Sequence, residues 1–390
     1  MNSVNELKEI IKKNTEKVGM VIALVAIVLI FSLLTYGVLL TPLNVTNIIM
    51  QNSYVIILAI GMVLVILTGE IDLSVGSVAA FIGALSGVLM ISWGWSPYVA
   101  VPIALIVGGL IGAWHGFWVA YIELPAFIVT LAGMLLFRGL TMITLDGRTL
   151  APFPEAFRVI SSSYLPDLLN GGTYHLLTIV LGIIAVGVYL YMEIRARNKQ
   201  KELNQTVETD KLFYAKILLI SIAVLAFIER LAAYEGVPYI LLVLLVLIFG
   251  YSFFTKRTIS GRHIYAVGGN ENAAALSGVK TKKVKFWVYV NNGVMSALAG
   301  LVFTGRLNAA TPQAGQLFEL DAIAAAVIGG ASMTGGIGTI VGAVIGALIM
   351  GILDNGMSIL GVGIDWQQAI KALVLLGAVA FDIINKKRSK

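Results

Sequence analysis

Residues 61–85 read GMVLVILTGEIDLSVGSVAAFIGAL, two apolar runs separated by a short polar stretch. Glu70 and Asp72 lie in that stretch, between Thr68-Gly69 and Gly76. A carboxylate at membrane depth is costly and normally faces a bundle interior or a wet cavity. The pattern therefore has two interpretations. Either a membrane helix is broken beside a solute pathway, where exposed backbone groups are tolerated, or a short cytoplasmic turn supplies acids that cap the next helix.

The composition indicates that these runs lie in a membrane. Hydrophobic residues make up 58% of the 390 residues, charged residues 12%, and the mean hydropathy is +0.91. Soluble domains carry about a quarter charged residues, so a chain this apolar needs lipid as part of its solvent. Cysteine is absent, which excludes disulfides, thiolate catalysis and cysteine-ligated metals. We predict an all-α polytopic membrane protein.

Apolar segments of membrane-spanning length recur along the whole chain. A bilayer core needs about 20 apolar residues per helix. The segments are 18–40, 52–69, 74–92, 98–121, 125–145, 175–193, 214–232, 237–254, 286–307, 320–333, 338–358 and 366–384. We expect ten to twelve transmembrane helices, because the short segments near 52–92 and 320–358 are equally compatible with broken or re-entrant helices.

The basic residues predict the orientation. An even number of crossings places both termini on one side, together with loops 194–213 and 255–285, and 20 of the 27 lysines and arginines then lie there. The long loop 146–174 on the other side holds only Arg148 and Arg158. The positive-inside rule then makes both termini cytoplasmic and loop 146–174 periplasmic.

Three parts of the chain follow from this topology. They are a cytoplasmic N-terminal segment (1–17), a transmembrane domain (18–384) and a basic cytoplasmic tail (385–390). The apolar run that begins at 18 is longer than the core of a signal peptide and lacks a convincing cleavage site, so we interpret it as an anchor that is retained.

A second acidic pair, Glu319 and Asp321, opens the stretch FELDAIAAAVIGGASMTGGIG over residues 318–338. Both halves of the chain thus present E-x-D followed by small residues, toward opposite sides in the predicted topology, as an inverted repeat would. We expect the two pairs and Ser74 to line the translocation pathway. Other intramembrane charges are interpreted as buried ion pairs between helices, namely Arg138, Asp354, Lys371 and Asp382.

Glycines four residues apart occur in two segments. Small residues at this spacing allow helix backbones to approach closely in lipid, and we interpret them first as packing devices. The two sets are Gly108, Gly112 and Gly116, and Gly338, Gly342 and Gly346.

No residue pattern indicates catalysis, a cofactor or a metal. The chain has no G-x-x-x-x-G-K-[ST] loop with which to hold ATP. The three histidines are scattered and form no ligand set. The basic loops are explained by membrane topology, so a nucleic-acid partner is not needed. We therefore expect no catalysis on this chain, ATP hydrolysis included.

The cytoplasmic loop 256–285 reads KRTISGRHIYAVGGNENAAALSGVKTKKVK. Gly268-Gly269 predicts a turn, Asn270 an N-cap, and the following residues a short helix that ends at Gly278. A short capped helix between membrane spans is suited to docking a soluble partner. An ordinary ordered loop is the alternative that these residues leave open.

The stretch GRHIYAVGGNENAAALSGVKT (261–281) resembles the signature loop of sugar-type ABC importer permeases, the family that includes ribose, galactose and xylose permeases. The resemblance extends to GMVLVILTGEIDLSVGS (61–77), ELPAFIVTLAGMLLFRG (123–139) and ELDAIAAAVIGGASMTGGIGTIVGA (319–343), in family order and over nearly the whole chain. One departure is Glu123, where we expect a basic or neutral residue.

The resemblance implies two copies that form the pathway across the inner membrane, two cytoplasmic ABC ATPase domains and a periplasmic sugar-binding protein. It favours a pentose such as xylose as the cargo. The residues it implies for ATPase coupling are Gly261, Arg262, Gly268, Gly269, Asn270, Ala273, Ala274, Ser277 and Gly278. Two rivals remain: an ion-coupled secondary transporter that uses the four acids as coupling sites, and a passive channel.

Overall fold

The computed structural model describes residues 15–388 except positions 170, 204, 206 and 208. Within these residues the chain forms fifteen helices and no β-strand. In chain order they are α1 (Thr15–Leu34), α2 (Pro42–Leu67), α3 (Val75–Gly87), α4 (Pro97–Ala120), α5 (Ala126–Leu145), α6 (Glu155–Ser162), α7 (Leu176–Glu202), α8 (Asp210–Ala232), α9 (Tyr239–Arg257), α10 (Ile259–Gly269), α11 (Glu271–Leu276), α12 (Thr281–Leu307), α13 (Phe318–Ile328), α14 (Ile340–Ile359) and α15 (Ile364–Arg388). The predicted all-α membrane fold is confirmed.

Each of the twelve apolar segments contains a helix. In the described part of the chain, nine helices are long and apolar enough to cross a membrane, counting α3 with the π-helical turn Val88–Ser92 that continues it. In α1 the apolar part is shorter, and α13 has 11 residues. Most of segment 1–17 and the end of tail 385–390 lie outside the described residues, so these two boundaries stay predictions.

Two breaks interrupt the helical bundle. The first break (residues 68–74) separates α2 from α3, and the second (residues 329–339) separates α13 from α14. Gly69 in the first break has φ +82°, and Gly335 in the second has φ +83°. Only glycine adopts this left-handed backbone readily, so these residues allow the chain to turn where lipid-facing helix could not continue.

The centre of the bundle is built by α2 and α12, which pack against each other. Helix α12 also packs on α3 and α4, whereas α2 packs on α13 and α14. The first predicted glycine seam lies between α4 and α12, and the second lies between α14 and the end of α13. A Cβ at Gly112 would lie 2.3 Å from the carbonyl oxygen of Tyr289, and one at Gly346 would lie 1.9 Å from that of Ala325. The glycines are therefore packing devices. An inverted repeat, with which the reciprocal packing agrees, stays a prediction.

Helices α10 and α11 form a hairpin at one end of the bundle, which we term the hairpin face. Helix α12 runs from there for 27 residues, about 40 Å at 1.5 Å per residue. At its far end, the Asn308 side chain accepts a hydrogen bond from the Phe153 N–H in loop 146–174. The N–H of His175, the N-cap of α7, donates to the Ala232 carbonyl at the end of α8. His175 directly follows loop 146–174, so this end of the two helices lies on the face of that loop. The α7–α8 connection, at their other end, therefore lies on the hairpin face. The two basic loops thus share one face, opposite loop 146–174.

Candidate functional site

The five predicted pathway residues do not form one cluster. Asp72, Ser74 and Glu319 lie near the start of α3 in the bundle interior, where they are 3%, 1% and 7% exposed. Glu70 lies on the hairpin face beside Lys285, and Asp321 faces α14 and α15. The structure therefore divides the set into a central trio and two acids with other partners.

Asp72 has donors on both carboxylate oxygens. Its Oδ1 accepts from the Ser74 N–H at 2.8 Å and the Ser74 hydroxyl at 2.6 Å, and its Oδ2 accepts from Asn292 Nδ2 at 2.8 Å. Such a side chain, bonded to the backbone two residues on, fixes a turn. The helix is therefore broken here, and Asp72 stabilises the turn that leads into α3. The alternative, in which an acid caps α3 from a cytoplasmic turn, does not fit, because Asp72 is buried and α3 has no side-chain cap.

Glu319 lies in the first turn of α13, against Gly76. Its Oε2 is buried without a hydrogen-bond partner in the described part of the chain, and a Cβ at Gly76 would lie 2.3 Å from that atom. Gly76 thus leaves the room in which the carboxyl lies. Buried polar groups are normally bonded, so an orphaned carboxyl oxygen in the bundle interior is a candidate contact for a polar solute.

Arg138 holds the chain before α13 in place. Its guanidinium donates to the carbonyl oxygens of Ala314 and Gly315 at 2.7 and 3.3 Å. The predicted ion pair for Arg138 is therefore wrong: its partners are carbonyls that the irregular segment before α13 leaves without helical donors. A sequence pattern gives no sign of this, because the segment lies 176 residues away along the chain.

Asp321 belongs to an ion triad. Lys371 Nζ lies 2.9 Å from Asp321 Oδ1 and 3.2 Å from Asp354 Oδ2. Asp321 and Lys371 also line a groove of about 270 Å³ between α13, α14 and α15. The predicted buried pairing of Asp354 and Lys371 is confirmed, whereas the side chain of Asp382 lies outside the described residues.

The hairpin contains the predicted short helix. The Asn270 side chain caps α11 by accepting from the Ala273 N–H at 2.9 Å, and Gly278 follows with φ +85°. The preceding residues differ from expectation. Gly268 and Gly269 are the last residues of a second helix, α10, which Thr258 caps through its hydroxyl oxygen. The turn is at Asn270, because its side chain satisfies the helix start better than a glycine pair would.

The coupling residues implied by the family resemblance fall into two groups. Inward-facing members fill contacts: Ala274 is 5% exposed, and a Cβ at Gly268 would lie 1.6 Å from the Leu67 carbonyl oxygen. Gly261 is similarly close to the Phe254 carbonyl oxygen. The exposed members are Arg262, Gly269, Asn270, Ala273, Ser277 and Gly278. A Cβ at Gly269 would meet nothing within 4 Å, so this surface is free for a partner.

Leu276 is the residue of the hairpin that the motif did not single out. It is 92% exposed at the end of α11. Two residues after the buried Ala274, it lies about 200° around the helix from that position. Apolar spacing on the short helix could have identified it, since one face must pack on the bundle and the other must point away. An apolar side chain that points away from the bundle on a protruding helix is suited to a groove on another protein, as in helix-in-groove recognition.

The hairpin contacts both breaks. Lys285 Nζ lies 3.0 Å from Glu70 Oε1 and 2.8 Å from Glu271 Oε2, so it joins α11 to the first break. The Tyr265 hydroxyl donates to the Gly338 carbonyl at 2.8 Å, which joins α10 to the second break. The breaks also bond each other, because the Gly336 N–H donates to the Leu67 carbonyl at 3.0 Å. A displacement of the hairpin would therefore act on both breaks.

Glu123, the departure from the family pattern, has a local partner. Its carboxylate lies 2.5 Å from Lys282 Nζ at the start of α12. The side-chain hydrogen bond from Lys282 lowers the pKa of the Glu123 carboxyl below its ordinary value. The Glu123 carboxylate therefore stays ionised and pairs with a lysine of the basic loop 255–285.

Known proteins resemble the chain over almost its full length. A family model described as "Branched-chain amino acid transport system / permease component" matches residues 44–163 and 159–379. The chain is 42% identical over 369 residues to the xylose transport system permease protein XylH of Haemophilus influenzae, covering 95% of this chain and 96% of that protein. It is 41% identical over 376 residues to XylH of Escherichia coli K12, covering 96% and 94%. It is 36% identical over 367 residues to the ribose import permease protein RbsC of the same strain, covering 94% and 93%.

No solved structure matches the chain. The relatives confirm the resemblance to sugar permeases that the sequence motifs carry. Their coverage includes the hairpin, both breaks and the central trio. The chain therefore belongs to the family of membrane-embedded permease components of transport systems.

Proposed function

We propose that this chain is the membrane-spanning permease subunit of an ATP-driven ABC importer for a monosaccharide, with xylose as the favoured cargo. It is a multi-pass protein of the inner membrane. The observation that carries the proposal is the hairpin, which exposes Leu276 at one end and contacts both helix breaks at the other.

The coupling begins at α11. A soluble ATPase subunit receives Leu276 and the exposed residues around Asn270 in a groove. Closure of the ATPase displaces the hairpin. Lys285 carries that displacement to the first break through Glu70, and Tyr265 carries it to the second break. Because Asp72 and Ser74 lie in the first break and α13 connects Glu319 to the second, the displacement biases the bundle between outward-open and inward-open states.

The central trio of Asp72, Ser74 and Glu319 is the proposed polar part of the pathway. Its oxygens are suited to sugar hydroxyls, and the unpartnered Glu319 Oε2 is the strongest support. Xylose is favoured because identity to the xylose permeases exceeds identity to the ribose permeases. A sugar-binding protein delivers the cargo at the face that carries loop 146–174.

The hairpin face is the cytoplasmic one in this proposal. The two basic loops share it, and basic loops are retained in the cytoplasm. Both termini are then cytoplasmic as well. Two copies of the chain form the complete pathway, as the family resemblance implies, and two ATPase domains bind their hairpins.

Co-purification with the cognate ATPase tests the proposal. Leu276→Asp removes the apolar contact and inserts a charge, while Gly269→Trp adds bulk to an open surface. Both variants should reduce ATPase binding at least tenfold and abolish ATP-driven xylose uptake, with unchanged thermal stability of the isolated permease. The matched control is Leu203→Asp, since Leu203 is 59% exposed on the same face at the end of α7. It should bind the ATPase as the parent does.

Reconstitution separates the importer from its rival. Proteoliposomes with permease, ATPase and binding protein should take up labelled xylose only with ATP, and unlabelled ribose, arabinose and galactose should compete less well than xylose. Uptake by the permease alone under an ion gradient, indifferent to ATP, would establish a secondary transporter instead. Full ATPase binding by both hairpin variants would refute the docking assignment.

A further inference from the structure

A cavity of about 510 Å³ lies beneath the hairpin, between α9, α10 and α12. Helices α9 and α12 are joined there by a hydrogen bond from the Tyr251 hydroxyl to Asn291 Oδ1. Trp287, which is 57% exposed on α12, forms part of the lining. The cavity therefore opens on the outer surface of the bundle, where membrane-spanning helices contact lipid. Of the residues assigned to the pathway or to coupling, Gly278 alone is among those that line this space.

The end of the cavity at the hairpin face is cationic. Lys280, Lys283 and His263 line it. In the described part of the chain no acid pairs with Lys280 or Lys283, whereas the neighbouring Lys282 and Lys285 have carboxylate partners. The same four-lysine run is thus divided by the fold: two charges are used within the protein, and two are left facing the cavity.

The start of α12 adds to this field. The helix begins at Thr281, and its N-cap residue Lys280 provides no side-chain cap. Uncapped N–H groups at a helix N-terminus carry partial positive charge and favour an anion. Together with the two free lysines, they make this end of the cavity suited to a phosphate group.

The deep end of the cavity is apolar. Leu64, Phe254, Val288 and Ile264 line it. A free phosphate would satisfy the lysines but leave this space empty, and a sugar would have few partners on the apolar wall. An amphiphile with an anionic head and a hydrocarbon tail uses both ends. Basic pockets between transmembrane helices at the membrane surface bind anionic lipid head groups for this reason.

We propose that this cavity binds an anionic phospholipid from the leaflet at the hairpin face. The phosphate lies between Lys280, Lys283 and the N-terminus of α12, and an acyl chain lies along Leu64, Phe254 and Val288. Because α10 lines the side of the cavity at the hairpin, the bound lipid packs directly against the hairpin. Anionic lipid then stabilises the arrangement in which the hairpin contacts the two breaks.

Native mass spectrometry of the full-length permease tests the proposal, with phosphatidylglycerol and phosphatidylcholine titrated in the same detergent. Phosphatidylglycerol should be retained in preference and should raise the melting temperature. The variant K280A/K283A should reduce that affinity roughly 10- to 30-fold, as expected for two cations at about tenfold or less each. The control K199A/K211A removes two exposed lysines on the α7–α8 connection and should retain the parent affinity.

Two further arms distinguish the sources of the ligand. Glycerol 3-phosphate should give neither retention nor stabilisation, and Val284→Trp, which fills the cavity without a change of charge, should weaken lipid binding. Equal stabilisation by glycerol 3-phosphate would overturn the lipid assignment in favour of a small-anion site. Equal retention by K280A/K283A and its control would overturn the site itself. Loss of phosphatidylglycerol when the ATPase binds would assign the surface to that protein.

Discussion

The two E-x-D pairs have the same letters but different surroundings. In the first pair, Glu70 reaches Lys285 on the hairpin face and Asp72 accepts three hydrogen bonds in the bundle interior. In the second, Glu319 has a buried oxygen without a partner and Asp321 pairs with Lys371. The first pair precedes its helix at 68–74, whereas the second lies within the first turn of α13.

The difference shows that the motif marks the start of a helix rather than a shared set of contacts. In both halves it places acids where a helix begins, and the neighbouring helices then determine their partners. The first pair joins the hairpin to a fixed turn. In the second pair, Glu319 has a carboxyl oxygen without a partner among the described residues, and Asp321 holds α13 against α14 and α15 through Lys371. Four substitutions test this division, and the one with the largest expected loss of stability comes first.

Lys371→Ala should have the largest effect. It leaves Asp321 and Asp354 without their cation, and the exposed fractions of those side chains are 14% and 34%. Breaking a buried pair on one side costs about 3–5 kcal/mol. We expect a large drop in the detergent melting temperature with unaltered sugar preference.

The control is the triple variant K371M/D321N/D354N, which removes all three charges and should recover most of the lost stability. A change in sugar preference without loss of stability would move Asp321 from the packing role to the pathway and make the two pairs more alike.

Asn292→Leu should cost about 1–3 kcal/mol, because the buried Oδ2 of Asp72 loses its donor and keeps its desolvation penalty. The variant tests whether Asp72 is stabilised from α12, as the 2.8 Å contact indicates. Thermal unfolding in detergent measures it. Asn272→Leu, at an exposed position of α11, is the matched control and should be neutral for stability; equal losses for both variants would contradict the assignment.

Glu319→Gln should change the free energy of unfolding by about 0.5 kcal/mol or less, because Oε2 has no protein donor to lose. Xylose affinity in the reconstituted importer should fall instead. A loss of stability as large as that of Asn292→Leu would show that Glu319 is bonded as Asp72 is, and the contrast between the pairs would disappear.

Lys285→Met should cost about 1–2 kcal/mol, less than Lys371→Ala, because its partners Glu70 and Glu271 are 21% and 45% exposed and water can partly solvate them when the lysine is gone. ATP-driven uptake should nevertheless fall severalfold while ATPase binding is retained, because the link from α11 to the first break is cut. Lys282→Met removes a lysine whose partner is Glu123 and serves as the control. Equal ATP-driven uptake by the two variants would contradict coupling from α11 to the first break through Glu70.

Local signals predicted much of this molecule. The positions of the apolar segments follow from hydropathy and length, and the N-cap at Asn270 and the end of α11 follow from capping chemistry. The first break is visible as two acids and a glycine between apolar runs, and the second as a run of glycines and small polar residues. Each of these features depends on residues within a turn or two of one another.

The sequence did not predict the hydrogen-bond and ion-pair partners of individual side chains. Arg138 bonds carbonyls rather than an acid, and α10 was missed because GRHIYAVGG combines a strong N-cap at Thr258 with a glycine pair that suggests a turn. The exposed position of Leu276 and the roles of Lys285 and Tyr265 were also missed. Nothing in the run TKKVK tells which lysine is paired.

Hydropathy and capping act over a few residues, and they were enough to give a helical membrane protein with two interrupted helices and a capped hairpin. The contacts that assign each acid act over long separations: Lys285 and Asn292 lie 215 and 220 residues from the carboxylates they contact. Those partners depend on how α2, α12 and α13 pack, because a buried charge takes whichever group the neighbouring helix places within hydrogen-bond distance. Local sequence patterns therefore do not predict which group each acid contacts.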